Sequence, residues 1–385
     1  MKHVYSLMSY VLFLLIILSI NIGSIQNMHC VSNAYAAHIQ NPSKPYPYQE
    51  QEIFFRNEAD DVTLSGTLAL PCDQAPSTVV VLVHGSGKLD RNSTIFGHMP
   101  FLIWSDYLVR KNIAVLRFDK RGAGKSTGNY NNATLKDFAN DVLAAIEYLK
   151  SRQNLNCSRI GLIGHSEGGM IAPLVAAKSK DIAFIVLLAA PCVNGQDLYL
   201  QRAYQMENNG AHEKTTKQTL ELLKSLFMTI ASKEDTNKAE IELKEILSKN
   251  LKTYTQLQRK IFESYFGNEE EIIKRFNSAW FRYYMTYDPA ETLKKVNIPI
   301  LAIHGDLDQQ VSSEQNLMLI KKILEQTKNK DFTIQNLLKH NHILQSCLTG
   351  LIDEYTKIDE TVSPKVLALV TEWILKKQFK INSYN

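Results

Sequence analysis

Short apolar runs, nearly unbroken and rich in β-branched residues, recur along this chain. Residues 78–83 read Thr-Val-Val-Val-Leu-Val, and 113–118, 160–163, 183–188 and 298–303 have the same character. A strand that is apolar on both faces must be covered on both, which predicts a parallel sheet. Residues 51–55 and 62–70 read instead as two antiparallel strands, the second alternating in polarity. Between the runs the period becomes helical. Thr134 stands as an N-cap before Leu135, Phe138, Val142, Ala145, Ile146 and Leu149 on one face, and a second helix is predicted over 170–178. Strand and helix in alternation predict a doubly wound, mostly parallel α/β sheet.

The alternation breaks at Gly195. From there to Glu291 no strand-like run occurs, no proline lies between Pro191 and Pro289, and stretches such as Leu220-Glu221-Leu222-Leu223-Lys224-Ser225-Leu226-Phe227 read as amphipathic helix. Residues 195–291 are therefore expected to be a helical cap inserted between two sheet strands. It follows the strand ending near Ala190, which places it over the carboxyl edge, where such sheets bind ligands. The core is then split into 37–194 and 292–385.

Residues 1–36 are expected to be a signal peptide rather than part of the fold. Lys2 and His3 precede an apolar run from Leu7 to Ile20, and Ala34-Tyr35-Ala36 supplies an A-x-A cleavage site. The run is short of the roughly 20 apolar residues of a membrane span. An exported protein is expected, with an uncleaved N-terminal anchor as the alternative and no integral membrane domain after cleavage. Cys30 lacks the Leu at −3 of a bacterial lipobox, so a lipid anchor is not expected. Cleavage would leave Cys72, Cys157, Cys192 and Cys347, which allow three disulfide pairings that spacing does not separate. No Cys or His pair has zinc-site spacing, so neither a metal nor a cofactor is expected. The net charge of +4 is too mild to imply a nucleic-acid partner.

The chemistry centres on Gly164-His165-Ser166-Glu167-Gly168, a G-x-S-x-G turn between a strand and a helix. Such a turn exposes a strained serine above a sheet, and Ser166 is the expected nucleophile. The next N–H, from Glu167, lies where a helix dipole would stabilise an oxyanion. A serine needs a base, and the base an orienting acid. Asp306 and Asp308 follow the strand at 298–303, and His340 and His342 follow a strand-like run at 331–334. The order Ser, Asp, His is thus complete, each group at a strand end, with two choices of acid and two of base. His84-Gly85-Ser86-Gly87 follows the third strand, and the N–H of Ser86 is the second expected oxyanion donor. His84, His165 and His304 are read as structural.

Together, His84-Gly85-Ser86-Gly87 with Asp90-Arg91-Asn92, the 118–126 segment Phe-Asp-Lys-Arg-Gly-Ala-Gly-Lys-Ser, the Ser166 turn, Gly305-Asp306-Leu307-Asp308 and Asn341-His342 resemble the bacterial α/β-hydrolase carboxylesterases. These are the EstD-like esterases, related to serine aminopeptidase and prolyl oligopeptidase-type hydrolases. The resemblance runs from about residue 50 to the C-terminus and weakens through the cap. It implies the α/β-hydrolase fold. Its G-x-x-D-x-x-V pattern falls on Gly305, Asp308 and Val311 and selects Asp308 as the acid. Its Asn-His pair selects His342 as the base. Ile343-Leu344 stands where the family often has Leu-Phe. The implied activity is hydrolysis of small carboxylic esters with short or medium acyl groups. A peptidase of the aminopeptidase or prolyl type, thioester hydrolysis, acyl transfer and a non-catalytic binding role are the alternatives.

Two further features complete the expectations. Gly122-Ala123-Gly124-Lys125-Ser126-Thr127 looks like a phosphate loop, but the required first glycine is Asp119, so nucleotide binding is not expected. Trp280, Phe281, Tyr283, Tyr284 and Tyr287 cluster at the end of the cap, and Trp280 and Phe281 are the expected substrate contacts.

Overall fold

The strand-like runs read between residues 51 and 334 become strands of one sheet. A computed structural model describes residues 40–382, apart from 73–74, 153–154, 156–157 and 209–210. The expected signal segment and Cys157 lie outside the described residues. The strands are β1 (Tyr48–Asn57), β2 (Val62–Pro71), β3 (Thr78–Val83), β4 (Ala114–Phe118), β5 (Arg159–His165), β6 (Ile182–Leu188), β7 (Ile300–Gly305) and β8 (Phe332–Leu337). Their spatial order is β1-β2-β4-β3-β5-β6-β7-β8. β1 pairs with β2 and β2 with β4 antiparallel, and the remaining pairs are parallel. The register sets Val83 beside Gly164 and His165 beside Leu188, so the loops after β3, β5 and β6 leave from one edge.

Helices α1 (Pro100–Val109), α2 (Leu135–Ser151) and α3 (Gly168–Lys178) alternate with these strands. Thr134 caps α2 as expected: the Asp137 carboxylate accepts its N–H at 2.6 Å and its hydroxyl at 2.7 Å. Such a cap is worth about 1 kcal/mol. Between β6 and β7 run α4 (Gly195–Asn208), α5 (Glu213–Ser232), α6 (Thr236–Leu251), α7 (Gln256–Phe266), α8 (Glu269–Phe276), α9 (Ala279–Thr286) and α10 (Pro289–Leu293). Among the described residues the segment expected to be a helical insertion over 195–291 holds helices and no strand, the first starting at Gly195 and the last ending at Leu293. Asp235, Thr255, Asn268, Ser278 and Asp288 each accept a backbone N–H at a helix start, which explains why this segment divides where it does. After β7 come α11 (Ser313–Gln326), the turn α12 (Ile352–Tyr355) and α13 (Pro364–Asn382).

The two-sided strands bury two cores. Val79, Val81 and Val83 pack with Phe138, Val142 and Ile171 of α2 and α3, in a core continuous with the cap. Val80 and Leu82 face the other way, against Phe101 and Leu108 of α1 and Val366 and Val370 of α13. Cys72, Cys192 and Cys347 are free thiols, the last two buried. Among the described residues no helix is long and apolar enough to cross a membrane.

Candidate active site

Ser166 sits in the tight turn between β5 and α3 with φ of 54°. A left-handed backbone costs a residue with a side chain roughly 1–2 kcal/mol. The neighbours hold it: its N–H donates to the Leu188 carbonyl at 2.8 Å, and its carbonyl accepts the Gly169 N–H at 2.8 Å. The flanking glycines answer to space. A Cβ on Gly164 would stand 2.1 Å from the Gly168 carbonyl oxygen, and one on Gly168 would stand 2.1 Å from that of Val83.

The acid and base pair across the ends of β7 and β8. His342 Nδ1 lies 2.7 Å from Asp308 Oδ2. The other carboxylate oxygen accepts the N–H groups of Gln310 and Val311 at 2.8 and 2.9 Å. Burial alone would raise the Asp308 carboxyl, but the His342 imidazole and these N–H groups hold it below the ordinary carboxylate range. An ionised Asp308 fixes the tautomer with the proton on Nδ1, which leaves Nε2 as the basic nitrogen. The rival residues have other partners. Asp306 accepts the N–H groups of Lys339 and His340, and His340 turns its Nδ1 to the Leu338 carbonyl at 2.7 Å.

Ser86 follows β3 in a loop pinned from behind. Arg91 donates to Asp119 through its backbone and guanidinium, and to Ser65, Gly66 and Thr67 on β2. The backbone N–H groups of Ser86 and Glu167 have no acceptor among the described residues, and both residues line the cavity that holds Ser166. The Glu167 side chain turns inward and is fully buried. It pairs with Lys120 Nζ at 2.5 Å and accepts the indole N–H of Trp280. Lys120 also donates to the Gly85 carbonyl at 3.0 Å and lies 4.1 Å from the Phe138 ring centroid. Burial pulls Lys120 below its ordinary range, against the attraction of Glu167.

The cavity measures about 180 Å³ and receives Ser166, His342, Ser86 and Glu167. Its walls are apolar. Ile95, Phe96, Phe101 and Trp104 form one side, and the cap supplies Leu198, Tyr199, Trp280 and Tyr284 on another. Among the described residues no cluster of His, Cys, Asp and Glu could hold a metal ion.

The structure therefore brings Ser166, Asp308, His342, Ser86, Glu167 and Trp280 to one place. Phe281 is the correction. It is fully buried inside the cap, stacked on Phe276 at 4.1 Å and edge-on to Tyr199 at 5.0 Å, and it does not line the cavity. Neighbours in a helix point about 100° apart, and here Trp280 is turned to the cavity while Phe281 is turned into the cap's aromatic core. His84 and His165 have the hydrogen-bonding roles expected of them, and His304 is fully buried. His84 donates Nε2 to the Phe118 carbonyl at 2.6 Å, and His165 donates Nε2 to the His342 carbonyl at 2.9 Å. Burial holds all three near pKa 4. The glycine-rich loop at 122–127 folds around Asp119: a Cβ on Gly124 would stand 2.4 Å from that carboxylate, which leaves no phosphate cradle. Sequence reasoning missed Lys120 and the wall at residues 89–104.

Comparison with known proteins places the chain in a family. The chain is 27% identical over 333 residues to esterase EstD of Thermotoga maritima, covering 86% of this chain and 69% of that protein. The Pyrococcus furiosus esterase Pf2001 superposes with a TM-score of 0.51 at 16% identity, covering 90% of this chain and 95% of that one. Proline iminopeptidase from Mycobacterium smegmatis does so with a TM-score of 0.50 at 13% identity, covering 86% and 100%. At these identities the structural likeness is one of fold. Residues 74–344 match the hydrolase family described as serine aminopeptidase, S33, and over this span the chain belongs to that family: it is a hydrolase of the α/β-hydrolase fold.

Proposed function

We propose that this chain is an exported serine esterase acting on carboxylic esters with short or medium acyl groups. The observation that carries the reading is the buried His342–Asp308 hydrogen bond, with His342 and Ser166 lining one cavity. In this reading Ser166 Oγ attacks the ester carbonyl and gives its proton to His342 Nε2. The N–H groups of Ser86 and Glu167 hold the oxyanion. His342 then donates that proton to the leaving alcohol as the tetrahedral intermediate collapses to an acyl-serine. Water, deprotonated by His342, releases the acid and restores Ser166. Asp308 orients the imidazole and stabilises its charged form. A cavity smaller than the roughly 300–1,000 Å³ of drug-sized sites supports short acyl groups.

EstD, an esterase by name, favours the ester reading. An aminopeptidase would need an acidic anchor for the substrate amine. The carboxylate that reaches this cavity, Glu167, already pairs with Lys120. The test is fluorophosphonate labelling of Ser166, followed by kcat/KM for p-nitrophenyl esters against aminoacyl and prolyl amides. Labelling with faster ester turnover supports the reading, and faster amide turnover would replace it with a peptidase. Export stands on the N-terminal sequence alone. Mass spectrometry of protein from its native host should find a mature N-terminus at Ala37, and an intact Met1 in the membrane fraction would replace export with anchoring.

A further inference from the structure

Besides its tyrosines, the cavity around Ser166 is lined among the described residues by four side chains of the acidic or basic type: His165, Glu167, Arg202 and His342. His342 is engaged with Asp308, and Glu167 is neutralised by Lys120. Burial and the neighbouring His342 ring keep His165 near pKa 4, so it is uncharged at neutral pH. Arg202, on α4 of the cap, differs. Among the described residues it has no ion pair and no hydrogen bond, and its guanidinium lies over the Tyr199 ring, 4.9 Å from the centroid. That ring is itself fixed, edge-on to Phe281 at 5.0 Å and Phe276 at 5.6 Å. A half-buried guanidinium held on an immobile aromatic face, in a cavity with apolar walls, is a preorganised fork of donors without an anion.

We propose that the preferred substrates are esters carrying a second group, a carboxylate, which Arg202 binds while Ser166 attacks the ester. This deepens the esterase reading and rests on it. A planar carboxylate matches the fork through two parallel N–H···O bonds, and a cavity without a free acidic side chain does not repel it. The same positive charge opposes a substrate with a free amine, which gives the cap a role in sorting substrates by charge.

The test compares esters in matched pairs. On the acyl side these are p-nitrophenyl hexanoate and mono-p-nitrophenyl adipate; on the alcohol side, phenyl butyrate and p-(butyryloxy)benzoate. The quantity read is the ratio of kcat/KM for the anionic member to that for the neutral one. In one pair the ratio should exceed one in the wild type and fall roughly ten- to a hundredfold in Arg202→Gln, with part retained in Arg202→Lys. The pair that responds tells which side of the ester bears the carboxylate. A second arm needs no variant: in the wild type the ratio should fall as ionic strength rises. Ratios that respond in neither pair to Arg202→Gln or to salt, with neutral esters still hydrolysed, overturn this proposal alone. A protein that hydrolyses no ester of either pair overturns the esterase reading with it.

Discussion

Asp306 and Asp308 stand two positions apart at the end of the same strand, and so do His340 and His342 after the next. By residue type and placement the members of each pair are equivalent, and only the resemblance to carboxylesterases separated them. The structural difference lies in long-range partners. Asp308 receives His342, whereas Asp306 ties down the backbone of Lys339 and His340. Asp308→Asn should therefore cut kcat severely, while Asp306→Asn should act mainly on stability; the reverse pattern would move the acid to Asp306. Ser166→Ala and His342→Ala should each lower kcat by several orders of magnitude, and the double variant should be little worse, because the groups act as a unit. Stability separates the strained turn from its chemistry. Ser166→Gly relieves the φ of 54° that Ser166→Ala retains, so urea unfolding should find the glycine variant more stable than the alanine variant by about 1 kcal/mol. Equal stability would mean that the turn stores no strain.

Two elements meet at the Glu167 carboxylate: the loop after β4, through Lys120, and helix α9, through Trp280. Nothing in the sequence announces Lys120, which lies in a stretch that looks like a phosphate loop, 47 residues before its partner. The wall at 89–104 was equally illegible. Its apolar residues are partly in irregular loop, and α1 is buried on most sides, so no polar face marks its period. Lys120→Met alone leaves Glu167 buried with one partner fewer and should cost about 3–5 kcal/mol. Adding Glu167→Gln should recover part of that loss, and strict additivity in the double-mutant cycle would mean that the pair is not coupled. Trp280 both walls the cavity and holds the cap to the nucleophile turn. Trp280→Ala should shift preference toward longer acyl chains, by roughly fourfold in kcat/KM for each methylene newly accommodated at about 0.8 kcal/mol. Trp280→Phe keeps an aromatic wall without the indole donor and should shift the profile less. Parallel acyl-length profiles for wild type and both variants would confine Trp280 to packing.

At the scale of the whole molecule the sheet was the legible part, because a parallel strand covered on both faces has an almost invariant composition. The insertion was legible as a break in that pattern, while which of its residues face inward was decided by contacts among distant helices. The sheet's carboxyl edge also concentrates buried histidines, and these link folding to pH. Burial holds His84, His165 and His304 near pKa 4, against 6.5 for an exposed histidine. Between those values the unfolded chain takes up protons that the folded chain refuses. Their contribution is thus complete above about pH 6.5 and is lost as pH falls toward 4. It amounts at most to about 3 kcal/mol for each histidine. Asp308 acts in a separate window. Its carboxyl is lower in the folded state than the ordinary 3.8, so its contribution is lost only in stronger acid. Unfolding free energies from urea titrations should therefore decline between about pH 6.5 and 5.5, above the range in which most carboxylates protonate. In His84→Asn, which keeps a donor near the Phe118 carbonyl, the decline should be about a third less steep, because His165 and His304 remain. A wild-type curve that stays flat across that interval would mean that these histidines are free to take up protons in the folded state.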